Sequence, residues 1–495
     1  MTAPLTVHGL LAGRAALEPG HVAIEQGRTT LTLAEWWRRT VCGAAALRAD
    51  GVRPGDRVAL LYGGRDWPAY ASAYTATLAA GAIAVPVSGR NAPAEVAYLL
   101  DDCGAAAVVH GSGVRPPSGT TVHGPDEWTA MTDGDADPTA LPATSPDAPA
   151  QILYTSGTTG RPKAVVASHA NITHGARVRP ILRPLAHSRH FLHAFPVGSN
   201  AAQTMLLNAL VAKAGMLVLP RFTPDRFADL IAERRVGTAF VVPAMAIELL
   251  RSGVCANHDL SCLTLLGSTA AALPSPVAAG LADALPGVTV VNYYTSTEAA
   301  PAQTTMIFDP QRPAALGVPA AGSRLRVVDA DGRPCPPGTV GEVWLSTPAP
   351  PRAYLGDADA TAHVFRDGWT RMGDIGYLDD DGYLYLVDRA SDVIKSGADK
   401  VSTVAVEEAL HAHPDITAAA VVGLPHPVLG MTPAAAVVAR TPLRLVQVRT
   451  FLAGRLALHE QPTRLIQLEA LPVNVAGKVV KQRIREIFEE AEESS

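Results

Sequence analysis

The stretch Tyr154-Thr155-Ser156-Gly157-Thr158-Thr159-Gly160-Arg161-Pro162-Lys163 decides how the rest of the chain is read. It follows Gln151-Ile152-Leu153, a short apolar run with strand character, and leads into another, Ala164-Val165-Val166. Its two glycines let the backbone approach a ligand with no Cβ in the way, so amide N–H groups and hydroxyls can turn toward a polyphosphate. Lys163 and Arg161 add positive charge. A Ser/Thr/Gly linker has a similar composition, but a linker seldom joins two apolar runs. The stretch is not a Walker loop. There Gly-Lys-Ser/Thr opens a helix, whereas here Lys163 trails Gly160 by three residues with Pro162 between them. A kinase or Walker-type ATPase is thereby disfavoured.

At 495 residues the chain exceeds one ordinary domain and should form two or three. With 48% hydrophobic and 18% charged residues it can build a large core, which excludes global disorder. A net charge of −5 gives no reason to expect nucleic acid as a partner. The five cysteines (Cys42, Cys103, Cys255, Cys262, Cys335) are scattered without a CxxC pair, so neither a disulfide framework nor a zinc site is expected. The first residues, Met1-Thr2-Ala3-Pro4-Leu5, do not read as a signal peptide, and no apolar run approaches a membrane span. The expectation is a cytoplasmic protein without membrane insertion.

Upstream of the loop, helical and strand patterns alternate. Thr32 to Leu47 reads as a helix, with Thr32 as N-cap and Glu35 three places on. Arg57–Leu61 and Ala82–Val87 read as buried strands, with a small-residue helix from Trp67 to Ala80 between them. Residues 111–150 are rich in Gly, Pro, Ser, Thr and Asp and predict a long surface connection. Downstream the series repeats, with strands at 214–220, 238–243, 262–266 and 288–292 and a helix at Pro224–Arg234. This is the pattern of an α/β fold with parallel, doubly wound sheets.

Between Asp147 and Asp225 there is no carboxylate, while Arg161, Lys163, Arg177, Arg179, Arg183, Arg189, Lys213 and Arg221 carry positive charge. Such a block suits a polyanionic ligand or forms a solvated basic face; both readings stand. His187, His190 and His193 have no carboxylate or cysteine nearby in sequence and are read as non-ligands. The run ending at Asn292 continues as Tyr293-Tyr294-Thr295-Ser296-Thr297-Glu298. The carboxyl end of a parallel strand is where open α/β sheets bind ligands. An aromatic there could stack on a purine, and Glu298 could hold Mg²⁺ bound to phosphates. A Thr-Glu pair after a strand is also a common helix cap.

Taken in order, these blocks resemble the adenylate-forming enzymes, the superfamily of acyl-CoA synthetases, peptide-synthetase adenylation domains and luciferases. The decamer resembles the family's phosphate loop. Asn292 to Glu298 resembles its Asn-x-Tyr-Gly-x-Thr-Glu motif, with Thr295 in place of glycine. Gly341-Glu342-Val343-Trp344 and Tyr354-Leu355-Gly356 ahead of Thr361 resemble the next block, and Gly368 to Asp374 the ribose block, with Met372 where the family has threonine. Asp388-Arg389 and Asp392 to Gly397 resemble the hinge region, and Leu471 to Lys478 the loop of the catalytic lysine.

The resemblance implies a large N-terminal adenylation domain, 1–389, and a small mobile α+β C-terminal domain, 390–495, joined by a hinge at Ser391. It implies nucleotide contacts from Thr155, Ser156, Gly157, Thr158, Thr159, Gly160, Lys163, Thr269, Ala270, Ala271 and Asn292. Further contacts would come from Tyr293, Tyr294, Thr295, Ser296, Thr297, Asp374, Arg389 and Lys478. Within this set Tyr294 would pack on adenine, Thr297 would contact the α-phosphate, and Asp374 would take both ribose hydroxyls. Glu298 would be the metal ligand, with Lys478, Glu298 and Thr155 the catalytic residues. Phe195, Ser199, Asn200 and Thr269 would line the acid pocket. No aspartate stands in Phe195–Asn200 to meet an ammonium, which disfavours amino acid activation. Asn200 matches an asparagine of aryl-acid enzymes, or is a loop-capping amide. Thr269-Ala270-Ala271, where the family often has Gly-Gly-Ala, hints at a small or flat acid.

The implied activity is ATP- and Mg²⁺-dependent conversion of a carboxylic acid to an acyl-adenylate, then transfer to the thiol of CoA or of a phosphopantetheine-bearing acyl carrier protein. Ser391 stands where the hinge residue is usually Asp or Lys, and Ala398 replaces a glycine, which puts the second half-reaction in more doubt than the first. Two alternatives stand beside this reading: a diazotase that adenylates nitrite for reaction with an aromatic amine, and a catalytically silent nucleotide-binding protein.

Overall fold

The computed structural model describes residues 5–117, 121–155, 162–179, 181–389, 392–396, 399–474 and 477–493. Residues 156–161 of the expected phosphate loop, the expected hinge Ser391 and Ala398 lie outside the described residues.

Two mainly parallel sheets form the body of the large part. The first has nine strands. Its parallel centre runs Thr289–Tyr294, Leu265–Ser268, Thr238–Val241, His190–His193, Gly215–Val218 and Val22–Gln26. The second has seven, with Thr121–His123, Ala105–His110, Arg57–Tyr62, Ile83–Ser88 and Pro149–Thr155 in parallel. Strands such as Arg57–Tyr62 and Ile83–Ser88 are buried along nearly their whole length. That is why they read as continuous apolar runs rather than alternating ones.

The helix Leu33–Ala49 begins where its cap predicts, Thr32 accepting a hydrogen bond from the Glu35 amide at 3.2 Å. The helix Trp67–Ala79 is buried on every side and ends just before Gly81. A helix apolar all round belongs inside a core, and here one apolar cluster takes residues from both sheets and this helix.

Residues 111–150 are not one surface connection. They contain the strand Thr121–His123 and the helix Pro125–Thr132, whose Trp128 is buried and points its indole N–H at Ser72. A few apolar anchors suffice to dock a segment whose average composition is polar.

A third, antiparallel sheet holds Arg324–Val328, Gly341–Ser346, Trp369–Leu378 and Leu384–Arg389. The separate, smaller C-terminal domain is built on the long hairpin Ile416–His426 and Gly430–Ala439. The helices Thr403–His411 and Leu445–Leu452 share an apolar cluster with one face of that hairpin. The helix Lys481–Glu493 covers the other face through Ile484 and Phe488. Glu489 and Glu490 of this acidic helix are exposed, and the two apolar residues four apart dock it. Among the described residues no helix is long and apolar enough to cross a membrane.

Candidate active site

Thr155, Thr269 and Tyr294 stand at or just beyond the carboxyl ends of three strands from the two parallel sheets. Glu298 lies in the turn after the last of them. Its Oε1 accepts the hydroxyl of Tyr354 at 3.0 Å and that of Thr155 at 3.4 Å. The Lys163 ammonium sits 5.1 Å from the centre of the Tyr354 ring. Burial and the neighbouring Glu298 carboxylate both push the Tyr354 hydroxyl above its ordinary range, so it stays a donor to that carboxylate. A single carboxylate ringed by hydroxyls is a hard-oxygen site that suits Mg²⁺, which takes most of its shell from water and phosphate.

Behind this turn lies a residue for which no role was expected. Arg352 is only 7% exposed. Its Nε donates to Asn171 Oδ1 at 3.0 Å, and its Nη1 to the Thr297 carbonyl at 2.7 Å and to Asn200 Oδ1 at 3.4 Å. Burial lowers its pKa to about 10, with Glu298 opposing the shift, so it remains charged at neutral pH. Asn171 also donates to the carbonyls of Ala300 and Pro350. Nothing in a single sequence separates such an arginine from a solvated one; only its neighbours do.

Asp374 and Arg389 are cross-strand partners. Asp374 is buried, and its Oδ2 accepts the Tyr294 hydroxyl at 2.5 Å. Arg389 Nε lies 3.2 Å from Oδ1, yet off the hydrogen-bond direction, so this buried oxygen keeps an unmet lone pair. Burial raises the carboxyl above its usual range, while Arg389, Tyr294 and Lys478 pull the other way. An orphaned acceptor beside an arginine is what a ribose hydroxyl would satisfy. The expectation of Tyr294 as an open stacking face needs correcting: only 9% of it is exposed, its ring joins Ala299, Leu316 and Val343, and its hydroxyl steadies Asp374.

The C-terminal domain brings Lys478 to this place. The Lys478 amide donates to Asn474 Oδ1 at 3.0 Å, and the Asn474 amide to the Lys478 carbonyl at 2.8 Å, closing a tight turn. Gly477 occupies the left-handed region at φ +79°, and a Cβ there would stand 3.2 Å from Val242 of the large part. Burial lowers the Lys478 pKa to about 8, Arg389 adding to the effect while Asp374 and Asp392 resist it. The structure thus brings Thr155 against Glu298, and Lys478 near Asp374 and Arg389.

Other expected site residues are spent elsewhere. Phe195 is 3% exposed, its ring 5.4 Å from that of His193 and its amide donating to His193 Nδ1; it belongs to the core rather than to an open pocket wall. Ser199 caps the helix Asn200–Val211, accepting from the Ala202 amide and donating to the Pro196 carbonyl. Thr295 donates to the Ala302 carbonyl, and Ser296 accepts from the Ala299 amide, so both hydroxyls serve the turn rather than a nucleotide.

Thr269 is half-buried, and Ala270 and Ala271 are exposed. Ala270 adopts φ +75°, a strained value for a residue with a Cβ. Asn292 and Ser268 are register partners, and Asn292 Oδ1 and Ser268 Oγ are buried without a partner. Tyr293 remains half-buried beside Phe240.

The histidines and the basic block disperse. His187 meets Thr238, His190 the Arg234 carbonyl, and His193 the sulfur of Met216. Arg183 pairs with Glu18 at 2.6 Å. Arg221 joins Arg65, Arg90, Arg226 and Arg234 around an open cleft of about 1010 Å³.

Comparison with known proteins agrees with this geometry. The family model for AMP-binding enzymes matches residues 11–355, and that for the AMP-binding enzyme C-terminal domain matches 405–478. A feruloyl-CoA synthase from Amycolatopsis sp is 33% identical, with 96% of this chain and 97% of the relative aligned. A fatty acid–[acyl-carrier-protein] ligase, ScoC, from Streptomyces coeruleorubidus is 32% identical over 95% of this chain and 94% of its own length. The ATP-bound structure of MatB from Rhodopseudomonas palustris superposes with a TM-score of 0.87 at 28% identity, covering 98% and 99% of the two chains. The chain therefore belongs to the AMP-binding enzyme family and is an AMP-forming acid–thiol ligase of the acyl-CoA synthetase kind.

Proposed function

We propose that this enzyme is cytoplasmic, activates a small or aromatic carboxylic acid with Mg²⁺-ATP, and passes the acyl group to CoA. The observation that carries the first step is Lys478 close enough to Asp374 and Arg389 to interact with both charges. A carboxylate oxygen of the acid attacks the α-phosphorus, and the bond to the β-phosphate bridging oxygen breaks to release pyrophosphate. Both partners are anions, so the work is positioning and charge neutralisation. Lys478 would bridge the incoming carboxylate and the α-phosphate, Asp374 would hold the ribose, and Thr155 and Glu298 would face the phosphates. Mg²⁺, held by Glu298, would supply charge neutralisation on the phosphates. In the second step the thiol sulfur attacks the acyl carbonyl, and AMP leaves as the thioester forms.

For the acid, Thr269 and Ala270 carry side chains where the family often has glycine, which narrows the pocket, and a relative at 33% identity is a feruloyl-CoA synthase. For the acceptor, the arginine-lined cleft offers several cations to a phosphorylated carrier such as CoA. An acyl carrier protein is the second candidate, since ScoC is a fatty acid–[acyl-carrier-protein] ligase. We take the moving parts as 1–389 and 390–495.

Pyrophosphate release, measured over a panel of short-chain, aryl and long-chain acids with nitrite included, tests the reading. Release is expected only with Mg²⁺, ATP and a suitable acid together, and with short or aryl acids above long ones. Production of ADP and inorganic phosphate would overturn it.

A further inference from the structure

The helix Ser275–Ala284 starts without a cap of its own. Its N-cap residue is Pro274, which has no polar side chain, and Pro276 in its first turn has no amide hydrogen. The cap comes from the other domain. The Ser275 amide donates to Glu408, lying 3.1 Å from Oε1 and 3.4 Å from Oε2, across 133 residues of sequence. Glu408 sits on the helix Thr403–His411 of the small domain.

Its neighbour in sequence does a different job. Glu407 accepts the Val421 amide at 2.8 Å and pairs with Lys481 at 3.0 Å, entirely within the small domain. Successive residues on a helix point about 100° apart, so one glutamate ties its own domain together while the next reaches outward. Burial raises the Glu408 carboxyl, while the hydroxyl and amide of Ser275 pull the other way. A carboxylate against a helix N-terminus also meets the positive end of the helix dipole.

We propose that Glu408 is a positioning residue for the adenylation step: it caps the helix Ser275–Ala284 from the small domain and so holds that domain where Lys478 enters the cleft. This rests on the two-step reading above. The contact joins two bodies that must part when the small domain turns to admit the thiol. The cap therefore favours the first pose over the second, and removing it shifts the balance by about fivefold, the equilibrium worth of a lost helix cap.

The test uses the full-length enzyme and four forms: wild type, Glu408→Ala, Ser275→Pro and the double variant. Proline suits the first position of a helix and removes both the Ser275 amide donor and its hydroxyl, so it deletes the contact with Glu408 from the other side. Adenylation is read as pyrophosphate release in a single turnover, and thiol transfer from supplied acyl-adenylate. Melting temperature checks folding, and a fluorophore pair, one dye on each domain, reads the pose without substrate. Each single variant should lose about fivefold in adenylation, keep or gain in thiol transfer, and shift the dye distance in the same direction. The double variant should be no worse than either single one. Equal loss in both steps, additive losses or an unchanged dye distance would overturn the proposal. If wild type releases no pyrophosphate with any acid, the functional reading fails, and the dye distance alone still decides the role of Glu408.

Discussion

Two regions meet in the cleft, and they are held by different means. Asp374, Tyr294 and Glu298 stand on or beside strands of the large part, and each is fixed by side chains within that part: Tyr294 on Asp374, Tyr354 and Thr155 on Glu298. Lys478 belongs to the small domain and reaches the same place only because that domain is docked. Among the described residues the polar contacts at the docking face include Glu408 with the Ser275 amide, Asp388 accepting the Thr403 amide and hydroxyl at 2.5 and 3.0 Å, and Ser402 donating to the Val387 carbonyl. On the proposed reading the large part carries the nucleotide site, and the small domain delivers the charge that completes it. In that proposal one cleft serves both half-reactions, since the delivered group can be withdrawn without unmaking the rest.

The sharpest test of that division is Lys478→Ala. It should reduce adenylation by roughly 10²–10³, the usual worth of one contact made to the charge of the transition state, and leave thiol transfer from supplied acyl-adenylate near wild type. Single-turnover measurement of each half-reaction checks it, and equal losses in both would erase the contrast. The permanent region should respond differently. Tyr294→Phe removes a hydroxyl from a buried carboxylate that already has one unmet oxygen. A hydrogen bond to a charged group is worth about 1.5–3 kcal/mol. The KM for ATP should rise by roughly ten- to a hundredfold and the melting temperature should fall, with the KM for the thiol unchanged; a variant that binds ATP normally would show that Asp374 does not depend on Tyr294.

The smallest expected effect is in pH. The Lys478 pKa lies near 8 in the docked pose, below the ordinary value for lysine, because burial disfavours the cation. The protonated form is the useful one, so kcat/KM for adenylation should fall as pH rises through about 8. In Lys478→Arg, which stays protonated, this basic limb should move up and away. A wild-type profile flat to pH 10 or above would mean that the lysine is not buried in the reactive pose.

The division between local and long-range information explains what could be read early. Strands and helices with strong periodicity, such as Arg57–Tyr62 and Pro224–Arg234, were legible because a buried strand and an amphipathic helix each leave a local pattern. The order of the motifs was legible too, since chemistry on phosphates demands certain residue types at strand ends. The helix Pro125–Thr132 inside a polar stretch was not, because its anchoring depends on Trp128 finding a pocket made by other segments. Phe195 and Ser199 were misassigned for a similar reason: whether a side chain lines a pocket, fills a core or caps a helix is settled by what packs against it.

The sequence by itself determined the fold class and the family, and it named the polar groups proposed to act on ATP, because these rest on residue identity, spacing and order along the chain. Only the tertiary structure decided which of those groups are available. It turned Tyr294 toward Asp374 and buried Arg352 behind the Thr297 turn. It also set Glu408 of one domain on the uncapped helix of another, 133 residues away. Each of these depends on desolvation and on the direction of a hydrogen bond between residues distant in sequence, and no local pattern carries that information.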